Sequence, residues 1–325
     1  MDNWKVKIHK PTGKTYDFSS RVGNISWSDS TDQLGAEFSF SKPFSKWDEN
    51  YDGRLIDCGD LFLLYYKSDL VFQGVITEIS LNGTEFRGYD LAWYLNQSET
   101  IIQFRNIRAD KAIKQLLNKF EVPIGSIAPM KTTIKKTYKD ETIADIINDI
   151  VSKVEDETDN NYRIEMRKGK FYIINLKRIE IKPTYKDELG NSIPCVNSAQ
   201  ISGTKNIEEL RNYVIYANTK DKSKGVKSIA KSQASINKYG LLSVVETQEN
   251  LTAAKARQRA KNRLKRLNKP AINFTCEMRG NYTIRPGRWI EFPRTDVGIK
   301  GWYKVKSCTH TINGGIYTVS LEMSN

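Results

Sequence analysis

The sequence predicts a mainly β protein with an α+β insertion. Apolar residues alternate with polar ones through residues 1–96, and the alternation returns over residues 181–325. Between them, residues 97–180 carry two runs of helical spacing and a hairpin. The chain has 325 residues, 39% apolar and 27% charged, a globular balance long enough for two or three domains.

The elements follow in order. Trp4, Val6 and Ile8 alternate with Lys5, Lys7 and His9, the period of a half-buried strand, and Pro11-Thr12-Gly13 supplies a turn. Ile25 with Trp27, and Ala36 with Phe38 and Phe40, alternate in the same way. Leu61–Tyr66 and Leu70–Ile79 flank Lys67-Ser68-Asp69 as a hairpin, and Asn82-Gly83 marks a tight turn because both positions tolerate positive φ. Ala109, Ile113, Leu116, Leu117 and Phe120 share one helical face, as do Ile143, Ile146, Ile147, Ile150, Val151 and Val154. Thr142 with Asp145 fits a capping box at the start of the second run, with Asp140 as the other candidate cap. Tyr162–Met166 and Phe171–Leu176 form a hairpin about residues 167–170. Beyond residue 181, Tyr213–Ala217, Ser228–Ile236 and Leu241–Glu246 read as strands. A helix over 252–267 follows, with Ala253, Ala256, Ala260, Leu264 and Leu267 on one face, ended by Asn268 and Pro270. Trp289–Phe292, Trp302–Cys308 and Tyr317–Met323 complete the C-terminal strands.

Composition excludes much chemistry. Only two histidines, His9 and His310, are present, and no Walker A loop, GxSxG elbow or strand-linked GxGxxG occurs. Cys58, Cys195, Cys276 and Cys308 are far apart and form no CxxC pair, so they read as free, mostly buried thiols. His310 reads as a strand histidine held by a hydrogen bond rather than a metal ligand beside Cys308. The abundant aromatics occupy strand-period positions, which suits core packing. No catalytic residue, cofactor site or metal site is expected. No apolar run approaches the ~20 residues that span a bilayer, and Met1-Asp2-Asn3-Trp4-Lys5 lacks a signal-peptide core, so synthesis and first folding in a cytoplasm are expected.

Charge is concentrated in one segment. Thr219–Pro270 holds 14 Lys/Arg against 3 Asp/Glu, a net +11, while the whole chain is +13. The candidate partner interface is the basic face of the predicted helix: Lys255, Arg257, Arg259, Lys261, Arg263, Lys265 and Arg266. A helix that packs its Ala/Leu stripe on a barrel and leaves its polar face to water, or to a protein partner, is the favoured reading. Nucleic-acid binding through residues 219–270 is the alternative, without an RRM, KH or zinc-finger signature to support it.

The two β regions echo each other. Gly59 and Gly74 bracket a strand and hairpin, Gly287 and Gly301 stand at similar spacing, and each region continues through a strand and an Asn-Gly turn, Asn82-Gly83 or Asn313-Gly314. One chain carrying two copies of one barrel would produce this pattern.

Further segments carry a resemblance: Phe72-Gln73-Gly74-Val75-Ile76-Thr77-Glu78-Ile79, Gly88-Tyr89-Asp90-Leu91-Ala92-Trp93-Tyr94-Leu95 and Thr137-Tyr138-Lys139-Asp140-Glu141-Thr142-Ile143. Lys238-Tyr239-Gly240, the 252–267 helix, Gly280-Asn281, Arg285-Pro286-Gly287 and His310-Thr311-Ile312 extend it towards the C-terminus. In order and spacing the chain resembles the baseplate hub proteins of contractile phage tails and diffocin-like contractile bacteriocins of Gram-positive bacteria. The resemblance implies two tail-tube-like β-barrels plus a small α+β domain: an N-terminal barrel over 1–96, the α+β domain over 97–180, and a second barrel over 181–325 carrying helix 252–267. It also implies a non-enzymatic homotrimer, a virion or bacteriocin component that adapts a hexameric tail tube to a trimeric spike. Expected partners are the tail tube protein, the spike, wedge or adaptor proteins and the tape-measure protein. Neither membrane anchoring nor specific nucleic-acid binding is expected. The assembled tail particle is the expected location, and the basic surface should not line the bore.

Overall fold

A computed structural model describes residues 3–43, 55–158, 160–176, 178–218, 226–248, 253–293 and 295–325. The chain is mainly β with few helices, and its Cα positions divide into two compact units. The larger comprises Met1–Ile201 with Thr275–Met323; the smaller comprises Ser202–Phe274 with Ser324–Asn325.

In the larger unit the N-terminal strands join one sheet, in which the Leu61–Tyr66/Asp69–Ile79 hairpin is the expected one and the longer-range pairings are not read from the sequence. Trp4–His9 lies antiparallel to Leu61–Tyr66, which returns into Asp69–Ile79 and then Glu85–Asp90. Glu37–Ser41 and Gly23–Ser30 continue the sheet beyond Glu85–Asp90. Alternation sends Trp4, Val6, Ile8, Phe38, Phe40, Phe62, Leu64, Phe72 and Phe86 into one core. There Phe38 stacks on Phe62 at 4.6 Å and Phe40 on Phe86 at 4.7 Å, so these aromatics are packing residues.

The insertion has its own core. Ala109–Lys119 and Ile143–Thr158 bury the apolar stripes read from their spacing, together with Phe104, Tyr138, Phe171 and Ile173. Thr142 is the cap: its Oγ1 accepts the Asp145 amide at 3.1 Å and donates to the Asp145 carboxylate at 2.7 Å. Asp140 lies upstream in a left-handed conformation, at a break in strand register. The unpredicted ribbon of Glu99–Arg108 with Thr133–Thr142 completes the region. The Tyr162–Arg167/Lys170–Asn175 hairpin turns at Lys168-Gly169, both at positive φ, as a two-residue turn requires.

The C-terminal strands do not form a separate sheet. Gly301–Asn313 pairs with Arg288–Phe292 through residues 301–304 and with the N-terminal strand Gly23–Ser30 through residues 307–312. Its buried positions change phase on the way: Tyr303 and Val305 are buried, then Cys308, His310 and Ile312. A shift of one residue exchanges the faces of a strand, so this one turns a different side inward in each half.

The internal echo is present as two three-strand meanders. Leu61–Tyr66, Asp69–Ile79 and Glu85–Asp90 form one; Arg288–Phe292, Gly301–Asn313 and Ile316–Ser324 form the other. Before the first strand of each stands a glycine at positive φ, Gly59 (+90°) or Gly287 (+82°). Gly59 N donates to Ile76 O, and Gly287 N to Val305 O, each at 2.8 Å and each onto the second strand of its meander. Gly74 and Gly301, paired in the sequence reading, play different roles. Gly301 opens its strand at φ +102°, whereas Gly74 lies mid-strand, where a Cβ would stand 2.4 Å from Tyr89 O and 2.7 Å from the Phe38 ring. Gly74→Ala is therefore expected to force the sheet apart and lower the thermal midpoint by several degrees. Gly59→Ala meets no atom within 4 Å and is expected to cost only the left-handed strain of about 1–2 kcal/mol. Thermal unfolding of the two variants checks the order.

The smaller unit contains a three-stranded sheet. Tyr213–Asn218 is central, antiparallel to Val226–Lys231 and parallel to Ser243–Gln248. The strand expected over Ser228–Ile236 stops at Lys231, and Gln233–Tyr239 is a helix. Good helix formers (Gln233, Ala234, Lys238) and a positive-φ Gly240 after the last turn favour it. Fully buried Asn212 fixes the return: its Nδ2 donates to Gly240 O at 2.7 Å and its Oδ1 accepts Leu242 N at 2.8 Å. The predicted 252–267 helix is observed as Ala253–Leu267 and packs on this unit's Tyr213–Asn218 and Val226–Lys231 strands. Its narrow Ala stripe covers one face of this three-stranded sheet.

Candidate functional site

The basic helix is built from alanine and straight-chain residues, the best helix formers. Ala256 and Ala260 are fully buried and Leu264 and Leu267 half-buried, while Ala253, expected on the same stripe, is exposed in the first turn. Arg257, Lys261 and Lys265, spaced four apart, form an exposed row, and none of them makes an ion pair with a described residue. Arg266 is exposed too, whereas Arg259 and Arg263 are half-buried. Arg263 reaches Glu246 at 2.9 Å, so its charge is partly met within the unit. Beneath them burial raises the Tyr216 phenol pKa, with Glu246 adding to the effect and Arg263, Arg259 and Arg266 opposing it. Lys255 lies in the helix, but its side chain is outside the described residues, as are Lys220, Lys222 and Lys224. The predicted seven-residue interface thus resolves into an outward row and a flank partly engaged at home.

The sheet's other face is open. Ile229, Ile215 and Val245 lie in register across its three strands, with Ile229 49% and Val245 58% exposed.

The larger unit holds a buried ionic junction that sequence reading missed. Arg288 grips Glu165 with two hydrogen bonds of 3.0 Å, and Arg167 binds the same carboxylate. Arg163 pairs with Asp29 at 2.8 Å, and Arg285 Nη1 donates to Met166 O at 3.2 Å. Burial alone would raise the Glu165 pKa, but Arg288, Arg167 and Arg285 overcome it and hold the carboxyl below its usual range. These contacts lock the insertion's Tyr162–Arg167 strand to the N-terminal Gly23–Ser30 strand and to the C-terminal Arg285–Arg288 turn. Arg and Glu at alternate strand positions were the available signal, but alternation ordinarily sends such residues to solvent.

Beside this junction a cavity of about 20 Å³ is lined by Asp29, Asp90, Arg285, Cys308 and His310 among others. His310 is neutral. Its Nε2 donates to Ile284 O at 3.1 Å, its Nδ1 accepts the Tyr317 hydroxyl at 2.8 Å, and its ring stacks on Trp27 at 4.6 Å. Burial, with help from Arg285, pushes its pKa down to about 3. Burial lifts the Cys308 thiol to about 12. Among the described residues no cluster of three His, Cys, Asp or Glu could hold a metal. The thiols are all free, three buried and Cys58 exposed. Asp90 accepts the Ala92 amide at 2.9 Å, yet full burial raises its pKa to about 7. No described helix is long and apolar enough to cross a membrane.

Known proteins place this geometry. The uncharacterized protein YqbQ of Bacillus subtilis (strain 168) is 28% identical over 275 residues, covering 82% of this chain and 81% of its own. The phage-like element PBSX protein XkdQ of the same organism is 27% identical over 273 residues, with the same coverage. The prophage MuSo2 43 kDa tail protein of Shewanella oneidensis shares the fold, with a TM-score of 0.70 at 12% identity over 98% of this chain and 97% of its own. A chain of the Francisella PdpA-VgrG complex superposes with a TM-score of 0.56 at 8% identity, over 99% of this chain and 58% of its own. A family described as YQBQ-like matches residues 25–324, and the chain belongs to that family.

Proposed function

We propose that the chain is a structural baseplate hub of a contractile tail or bacteriocin. Three copies would seat a hexameric tail tube on a trimeric spike. The duplicated meander carries this reading. Two like β modules per chain, taken three times, offer six similar edges to a sixfold tube while keeping threefold symmetry towards the spike. In this reading the strands of 1–96 and of 181–325 each complete a tube-like barrel, and 97–180 braces them through the ionic junction. Pairing barrels into a closed ring also removes strand edges that would otherwise aggregate. The phage-like element relative XkdQ, the fold shared with a prophage tail protein and the likeness to a chain of a VgrG complex support a place between tube and spike.

The role is mechanical. Wedge, adaptor and tape-measure proteins would dock around the ring, in a virion or bacteriocin baseplate. The test is stoichiometry in isolated particles, by cryo-EM with the chain traced through its side chains. Three copies per six-subunit tube ring are expected; six copies, or one, overturn the adaptor geometry. Zymography of the purified chain on peptidoglycan is expected to show no clearing.

A further inference from the structure

Charge is partitioned along the chain. Residues 1–96 hold ten Lys/Arg and fourteen Asp/Glu, a net −4, whereas residues 202–274 hold sixteen and five, a net +11. Two copies of the basic unit repel each other, so that unit has no isologous partner in itself. The acidic N-terminal region is its complement. On one sheet face there, exposed Glu37 and Glu85 sit on adjacent strands, offset by four residues because Glu37 pairs with Tyr89 and Ser41 with Glu85. Glu78 lies on the next strand, beside Arg87 at 4.0 Å. Ser26, Ser28, Ser39, Thr77 and Tyr89 share the face with Arg87, which lies between Glu37 and Glu85, so the face is net negative by two; it forms an open groove of about 510 Å³ including Glu37, Glu78 and Arg87.

The spans agree. Arg257 to Lys265 is eight helical residues, about 12 Å. Four strand residues and one strand spacing put Glu37 and Glu85 about 14 Å apart. The serines leave room for a helix to approach, with Arg87 turned towards Glu78. We infer that the Arg257, Lys261 and Lys265 row of one copy docks on the Glu37 and Glu85 face of a second copy. A contact between unlike surfaces closes a ring when its rotation returns to the start, so this interface would join the three copies of the proposed hub. The inference rests on that trimeric reading and assigns it a surface. It also keeps the cation row away from the bore.

The experiment is a charge swap in the full chain, read by light-scattering mass at low salt and by circular dichroism for folding. The native chain is expected to run as a three-chain species at about 0.05 M NaCl and to dissociate near 0.5 M, where the Debye length falls to about 4 Å. Lys261→Glu with Lys265→Glu is expected to give folded monomer, as is Glu37→Lys with Glu85→Lys. All four substitutions in one chain should restore the three-chain species. A native chain that stays monomeric at low salt overturns the inference and weakens the trimeric reading with it. A native trimer that survives either charge reversal, or is not restored by the fourfold variant, overturns this interface alone. Duplex DNA bound by the native chain and lost with Lys261→Glu and Lys265→Glu, with no change in mass, would assign the row to nucleic acid instead.

Discussion

Replacing Glu165 with alanine is expected to cost about 3–5 kcal/mol of folding stability, the usual range when one partner of a buried ion pair is removed. The reason is what remains. Arg288 is buried, its guanidinium is bonded to Glu165 and to Pro286 O, and Arg167 and Arg285 crowd the same carboxylate. Without Glu165 these cations face one another with no counter-charge. The paired variant Glu165→Met with Arg288→Met should be markedly less damaging, because it removes the stranded charge along with its partner. Urea unfolding followed by tryptophan fluorescence checks this, since the five described tryptophans, Trp4, Trp27, Trp93, Trp289 and Trp302, lie in the larger unit. A single substitution no worse than the double would show that the junction is not held by charge.

The second large effect is on pH dependence. Asp90 and His310 line the same cavity and pull stability in opposite directions. The Asp90 pKa, raised by burial from 3.8 to about 7, makes the folded state bind a proton the unfolded state has released. Its contribution is full below pH 3.8 and is lost as pH rises through about 7. The His310 pKa, lowered by burial from 6.5 to about 3, does the reverse: its contribution is full above pH 6.5 and is lost as pH falls towards 3. Between pH 4 and 6.5 the two slopes oppose, each at most about 1.4 kcal/mol per pH unit. Asp29 and Arg285 face Asp90 and act on it in opposite senses, the first raising and the second lowering its pKa. Asp90→Asn keeps the oxygen that accepts the Ala92 amide and removes the titration. Its stability relative to the native chain should grow from pH 4 to pH 7 and level off above, at an upper limit of about 4 kcal/mol. A difference constant over pH 4–8 would falsify the assignment.

Regular periodicity made much of the fold legible. The alternation at Trp4–Ile8 and the helical stripes at Ala109 and Ile143 each report one element burying one face, and each is found where its spacing put it. The run from Ser228 failed because alternation ends at Lys231, and the helix after it is short and partly polar. Two features of the insertion, the Glu99–Arg108/Thr133–Thr142 ribbon and the parallel partnership of Ile124–Ile127 with Lys170–Asn175, are pairings between residues distant in sequence that no local pattern encodes. The candidate site divides in the same way. The basic residues of the helix are a local pattern and were readable, but the separation of the exposed Arg257, Lys261 and Lys265 row from the half-buried Arg259 and Arg263 was not. The Glu165–Arg288 junction joins residues 123 positions apart, and Glu and Arg on a strand ordinarily signal solvent.

The strand from Gly301 to Asn313 is thirteen residues long, about 43 Å when extended. It is hydrogen-bonded to one β group at its start and to the other further along. A covalent backbone already drawn straight has almost no slack. Each half is therefore tethered to the other by a member that cannot lengthen, so a pull that separates them must first strip ladder hydrogen bonds from this strand.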